Sequence, residues 1–152
     1  FPLCAAVTIP DNAIFDTLIT AGAGIMGNYL CQDEPPLLRA IRVGRGPGLL
    51  SKVEKLLSVS SKEMIVYQQW PEYYGLGMIT VTHMAVQRGL VDILNLLLQQ
   101  ISPPGSKSIP PYLHQSYLLR AAQYNQTQVA KTLLTEWDGM RRMEGLNPDM
   151  MV

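Results

Sequence analysis

The sequence predicts an all-α fold, a helical solenoid of about four helix-turn-helix repeats with long connecting loops. Three observations predict it. Residues 79–100, ITVTHMAVQRGLVDILNLLLQQ, hold two helical patterns broken once, at Gly89. The same arrangement recurs in phase along nearly the whole chain, and self-similarity at such a period marks stacked repeats. The composition, 47% apolar and 16% charged in 152 residues, is that of one chain able to bury a sizeable core.

In the clearest copy, Thr80 is placed to cap a helix running through Val81, His83, Met84 and Ala85. After Gly89, the residues Val91, Ile93, Leu94, Leu97 and Leu98 recur at the spacing of an amphipathic helix. Glycine at the break allows a positive φ and a tight reversal. The other copies align on Ala85 through Ala6, Ala40 and Ala121, giving spacings of 34, 45 and 36 residues. Their second helices contain Ile14, Phe15, Leu18 and Ile19 in the first copy, and Val129, Leu133 and Leu134 in the last. The second copy carries an insertion at Gly46–Leu50. Pro2 and Pro36 fall at the first helical position, where a missing N–H costs nothing, and Thr80 and Ser116 fall one residue earlier as hydroxyl caps. The anchoring alanines are small where the two helices of a hairpin cross. The reversal position holds Gly44, Gly89 and Asn125, residue types that tolerate positive φ; the first copy has Pro10 there and needs another turn.

These residues resemble the ankyrin repeat family: a Thr-Pro-Leu-His-x-Ala-type opening, a glycine turn and a Val/Leu-rich outer helix. The match is best at 80–98, and AGAGI at 21–25 is similar to the family's Ala-Gly-Ala-Asp lead-in, with Gly24 where the aspartate usually stands. The repeats fall at about 1–30, 34–60, 79–102 and 115–140 of a single domain, 1–152. The loops 59–78 and 101–115 are long for the family, and one repeat alone keeps the histidine. The resemblance implies stacked hairpins, elongated hairpin or finger loops, and recognition of another protein through a concave groove, with no catalysis and no cofactor. It also implies that His83 ties neighbouring repeats through backbone hydrogen bonds. Cys4 takes the histidine's place in the first copy and reads as a small buried hydrophobe.

The rest of the chain carries no catalytic or metal-binding pattern. His114 stands in the Pro-rich stretch ISPPGSKSIPPYLHQ with no carboxylate or cysteine near it in sequence. GRGPG at 44–48 lacks the Gly-Lys-Ser/Thr ending of a phosphate-binding loop and follows no strand, so it reads as an insertion in a helix–helix turn. Asp11, Asp16, Glu54, Asp92 and Glu136 spread over turns and outer helices as a solvated face, not an acid/base pair. Cys4 and Cys31 form no CxxC or Cys/His cluster; neither a disulfide framework nor a zinc site is expected, and a reducing, intracellular compartment is. Twelve basic residues balance twelve acidic ones, so no global field argues for nucleic acid or membrane binding, and no apolar run is long enough for a membrane span. Phe1 is followed by no charged signal-peptide region, and a start without Met suggests a mature fragment or an excised piece. The Met-rich tail 137–152 reads as a cap or the start of a repeat cut short.

Local charge does sort by position. The residues just before the anchoring alanine, and two or three after it, should share one exposed face of the inner helices. They are Arg39, Arg42, Arg88 and Arg120, with Gln87, Gln123 and Tyr124, and no acidic residue is among them; Lys52, Lys55 and Lys131 fall on the outer helices. This face reads either as scattered solubilising charge or as an arginine-lined groove for carboxylates or phosphates of a partner protein. Trp70, Tyr73 and Tyr74, in the 59–78 finger, would supply aromatic anchors. The leading function is a non-catalytic protein-binding scaffold. The alternatives are a regulatory module of a larger enzyme, channel or transcription regulator, and a small helical enzyme.

Overall fold

The computed structural model describes residues 2–21, 34–58, 60, 62–71 and 77–139. Among them the chain is mostly helical. The elements are α1 (Pro2–Ala6), α2 (Ala13–Thr20), α3 (Pro36–Val43), α4 (Leu49–Leu57), α5 (Lys62–Val66), β1 (Trp70–Pro71), β2 (Met78–Ile79), α6 (Val81–Arg88), α7 (Val91–Ile101), α8 (Pro111–Gln123) and α9 (Thr127–Thr135). The contacts divide into two compact units, Phe1–Ala85 and Val86–Val152, with the boundary inside α6.

In the first unit α1 packs on α2 and on α3, and α3 packs on α4. The anchoring Ala6 and Ala40 are buried, as are Leu3, Phe15, Leu37, Ile41, Val53 and Leu56 of the same helices. Pro36 sits in the first turn of α3, where its fixed φ suits the helix and its absent N–H is no loss. The first turn replaces the missing glycine with Asp11, whose carboxylate accepts the Ala13 N–H at 2.9 Å and opens α2. Ile14, expected in the apolar face of α2, points to solvent instead; Phe15 carries the burial there.

Two details of the second copy depart from expectation. Gly44 is extended (φ −66°, ψ 151°), and the positive φ moves to Gly46 (+90°). The insertion lengthens the turn, so the reversal occurs two residues later, where a Cβ on Gly46 would lie 2.6 Å from the Pro10 Cβ. The 59–78 connector is also more ordered than a loop. It contains α5 and an antiparallel β1–β2 pair in the register Trp70↔Ile79 and Pro71↔Met78. The Thr82 hydroxyl, itself buried, donates to the Ile65 carbonyl at 2.9 Å and ties α5 to the start of α6.

Thr80 caps α6 as expected. Its hydroxyl accepts the His83 N–H at 3.1 Å and lies 2.7 Å from His83 Nδ1, so the histidine is engaged at the helix start.

In the second unit α8 packs on α9, and α7 also contacts α9. Ile93, Leu94, Leu97 and Leu98 bury one face of α7, while Val129 and Leu133 bury α9; Leu134 is exposed. The α6–α7 break has the predicted geometry, with Gly89 at φ +71°, and Asn125 makes the equivalent turn before α9 at φ +55°. Gly89→Val is expected to cost about 2 kcal/mol from forcing a β-branched residue to positive φ. A Cβ there would also lie 2.3 Å from Gln126 Oε1, whose amide nitrogen holds the Gln87 carbonyl at 2.7 Å. A lowered thermal midpoint measures this, and an unchanged one would refute it.

The loop expected at 101–115 is shorter than read, because α7 runs to Ile101 and α8 starts at Pro111. Pro110 is extended and Pro111 occupies the first helical turn, so the Pro-Pro pair begins a helix instead of preventing one. Leu113, Tyr117 and Ala121 then bury one face of α8. Ser116 consequently lies inside α8 and not at its cap. His114 is likewise no loop residue: it is buried, and its Nε2–H donates to the Leu133 carbonyl at 2.7 Å, joining α8 to α9. At the start of the tail, Trp137 is buried and donates to Asn95 Oδ1 at 2.9 Å, and Asp138 exchanges backbone hydrogen bonds with Lys107 and Ile109.

Cys4 corrects a further expectation. It is disulfide-bonded, not a reduced buried thiol. The chain's other cysteine, Cys31, lies outside the described residues. The case for a reducing compartment, which rested on unpaired cysteines, loses its support.

Candidate protein-interaction surface

The residues singled out for partner binding separate into two environments. On α3, Arg42 is not a solvated groove residue. Its Nε donates to Glu34 Oε2 at 2.8 Å, with only 10% of the Arg42 side chain and 4% of the Glu34 side chain exposed. Its Nη2 reaches the Pro71 carbonyl at 3.3 Å. Arg39 adds a longer contact to the other Glu34 oxygen, 3.5 Å, and is 25% exposed. A buried carboxylate that accepts from two guanidinium groups is an internal clamp joining the chain before α3 to α3 itself, and through Pro71 to β1. Pattern reading noted the arginines but missed Glu34. The signal was its position two residues ahead of Pro36, on the N-terminal side of both arginines.

Trp70 is corrected in the same way. Its side chain belongs to the interior of the first unit, 7% exposed, paired in register with buried Ile79, so it is no projecting anchor. Tyr73 and Tyr74 lie outside the described residues.

Lys52, read as an outer-helix charge, is 1% exposed. Its ammonium donates to the Ile9 carbonyl, and the Asp11 carbonyl lies 3.5 Å away. Burial pushes its pKa below the ordinary lysine value, while the charges of Asp11 and Asp16 pull the other way. Lys55, its neighbour on the same helix, makes a half-exposed ion pair with Asp16.

Three of the predicted residues of the second unit, Gln87, Arg120 and Tyr124, come together. Arg120, near the end of α8, donates from Nη1 to Gln87 Oε1 at 3.0 Å, and its guanidinium lies 5.6 Å from the Tyr124 ring centroid. Gln87 is itself positioned by the Gln126 amide, which donates to its carbonyl. Arg88 follows Gln87 at the end of α6. Arg88 and Arg120 are half-buried, whereas Gln123 and Tyr124 are exposed. This chain of contacts holds one guanidinium in a fixed orientation beside an aromatic ring at the protein surface. Planar, pre-oriented guanidinium groups suit carboxylate and phosphate partners, because little side-chain entropy is left to lose on binding.

Among the described residues there is no group of three or more His, Cys, Asp or Glu side chains able to hold a metal ion, and no helix long and apolar enough to cross a membrane. No protein-family model matches the chain, and no curated protein matches it.

Proposed function

We propose that this chain is a non-catalytic protein-interaction scaffold of ankyrin type, which binds a partner protein through a surface containing Arg88, Arg120, Gln87, Gln123 and Tyr124. The observation that carries this reading is the Gln126–Gln87–Arg120–Tyr124 relay, which orients the Arg120 guanidinium beside an exposed tyrosine. Three further facts support the repeat assignment: the Thr80 cap with its neighbouring His83, the buried alanines at the four phase positions, and positive φ at Gly89 and Asn125. Arg42 leaves the binding set because its charge is already committed to Glu34. The partner's matching feature is an acidic or phosphorylated segment.

The test is affinity capture with the full chain as bait, followed by mass spectrometry, comparing wild type with Arg88→Glu/Arg120→Glu. The reversal should lose specific partners by about tenfold in recovery; because both side chains are half-buried and Arg120 also holds Gln87, circular dichroism melting checks that the reversed protein stays folded. Recovery of the same partners at the same level by both proteins would dismiss the arginine surface. Hydrolytic turnover by the isolated chain would dismiss the non-catalytic reading.

A further inference from the structure

The turn between α8 and α9 reads Asn125-Gln126-Thr127, an Asn-x-Thr triplet whose middle residue is not proline. Of the asparagines Asn12, Asn28, Asn95, Asn125 and Asn147, only Asn125 stands in such a triplet. An exposed triplet of this kind is the acceptor for an N-linked glycan in a protein that passes through the secretory lumen. The turn presents it well. Asn125 and Thr127 are exposed, while Gln126 between them is half-buried and spends its amide on the Gln87 carbonyl at 2.7 Å. Among the described residues no hydrogen bond engages the Asn125 carboxamide or the Thr127 hydroxyl. The fold accounts for the asparagine, because position 125 has φ +55° and asparagine tolerates that conformation. It does not account for the threonine. Gln126 is the N-cap of α9, so the hydroxyl of Thr127, the first helical residue, stands one place too late to cap.

A second, independent observation bears on the compartment. Cys4 is disulfide-bonded. Disulfides form and persist in oxidising surroundings such as the secretory lumen, which is also where Asn-x-Thr acceptors are glycosylated. We infer that Asn125 is an N-glycosylation site, with Thr127 as the residue that qualifies it as an acceptor. The donor is an oligosaccharide carried on a polyprenyl diphosphate. The Asn125 Nδ2 bonds to the anomeric carbon of the first sugar, and the carbon–oxygen bond to the diphosphate breaks. The diphosphate leaves with the electron pair, the amide gives up one proton, and nothing is oxidised or reduced. The inference goes beyond the scaffold reading and does not depend on it. Asn125 directly follows Tyr124, so a glycan there borders the surface proposed above.

The experiment digests the protein from its natural source with trypsin, before and after peptide-N-glycosidase treatment in heavy-oxygen water. Cleavage after Arg120 and Lys131 releases the peptide Ala121–Lys131, whose one asparagine is Asn125. The bare peptide should be depleted before treatment. It should appear afterwards with Asn125 converted to an aspartate that carries the heavy-oxygen label. In a eukaryotic secretory expression system, Thr127→Ala and Asn125→Asp should each abolish the glycosidase-sensitive gel shift, and Thr127→Ser should keep it. Aspartate also tolerates positive φ and Thr127 is exposed, so circular dichroism melting of these variants should match that of deglycosylated wild type. Natural protein that yields only the bare peptide overturns the inference. A gel shift that survives Thr127→Ala places the glycan elsewhere and overturns it too. So does a Cys4 that is alkylated without prior reduction, because the oxidising compartment is then lost.

Discussion

Arg42→Glu is expected to unfold the first unit or to destabilise it by about 3–5 kcal/mol, the range observed when a buried ion pair loses one partner. The wild-type pair is short, 2.8 Å, and both side chains are nearly enclosed. Reversal sets a second carboxylate against Glu34 in an environment where neither can be well hydrated, and it leaves the Pro71 carbonyl without its Arg42 donor. Urea denaturation measures the effect. Because the chain divides into two compact units, the transition should be followed with a probe in the first unit. Glu34→Gln should be milder, because the amide oxygen can still accept from Arg42. Replacing both Glu34 and Arg42 by leucine should cost far less than either single charge deletion, since no uncompensated charge remains. A wild-type urea midpoint for Arg42→Glu would show that the guanidinium is solvated after all.

Lys52→Ala is expected to cost about 3 kcal/mol. The change removes a buried four-carbon stem, leaves a cavity, and strips the donor from the Ile9 carbonyl. Lys52→Met keeps most of the volume and isolates the ammonium's role in holding the first turn. The pH dependence has a definite sign. Because burial lowers the folded-state pKa of Lys52 below 10.5, the folded protein releases this proton before the unfolded chain does. The cost of holding a desolvated charge is therefore fully present below the folded-state value. It is relieved as pH rises through that value toward 10.5, so the unfolded state binds more protons in this window and stability grows there. Wild type should gain on Lys52→Met as pH is raised through the alkaline range. A constant difference between the two proteins across that range would show that the pKa is not lowered in the folded state.

The sequence by itself determined the features that depend on neighbours within one or two turns of chain. Gly89 and Asn125 adopt positive φ because a tight helix reversal demands it of whichever residue stands there, and glycine and asparagine tolerate it best. Thr80 caps α6 because a hydroxyl one residue before a helix reaches the orphan N–H of His83 regardless of what packs nearby. The anchoring alanines are buried because their phase against the apolar stripe is a local periodicity. The same logic made the helical class legible and the grouping of arginines near the anchoring alanines visible.

Tertiary structure decided what each charged or aromatic side chain faces. Arg42 and Arg120 occupy comparable places beside their anchoring alanines, yet one is closed onto Glu34 and the other is held at the surface by Gln87 and Tyr124. Lys52 and Lys55 are three residues apart on one helix, yet the first is buried against the Ile9 carbonyl and the second pairs with Asp16 in solvent. Trp70 faces inward because its strand partner Ile79 does, and His114 joins a helix because Pro110 and Pro111 start one. In each case the free energy is set by burial and by a partner distant in sequence. Desolvation makes an unpaired charge costly only where neighbouring elements exclude water, and the one-dimensional pattern does not contain that information.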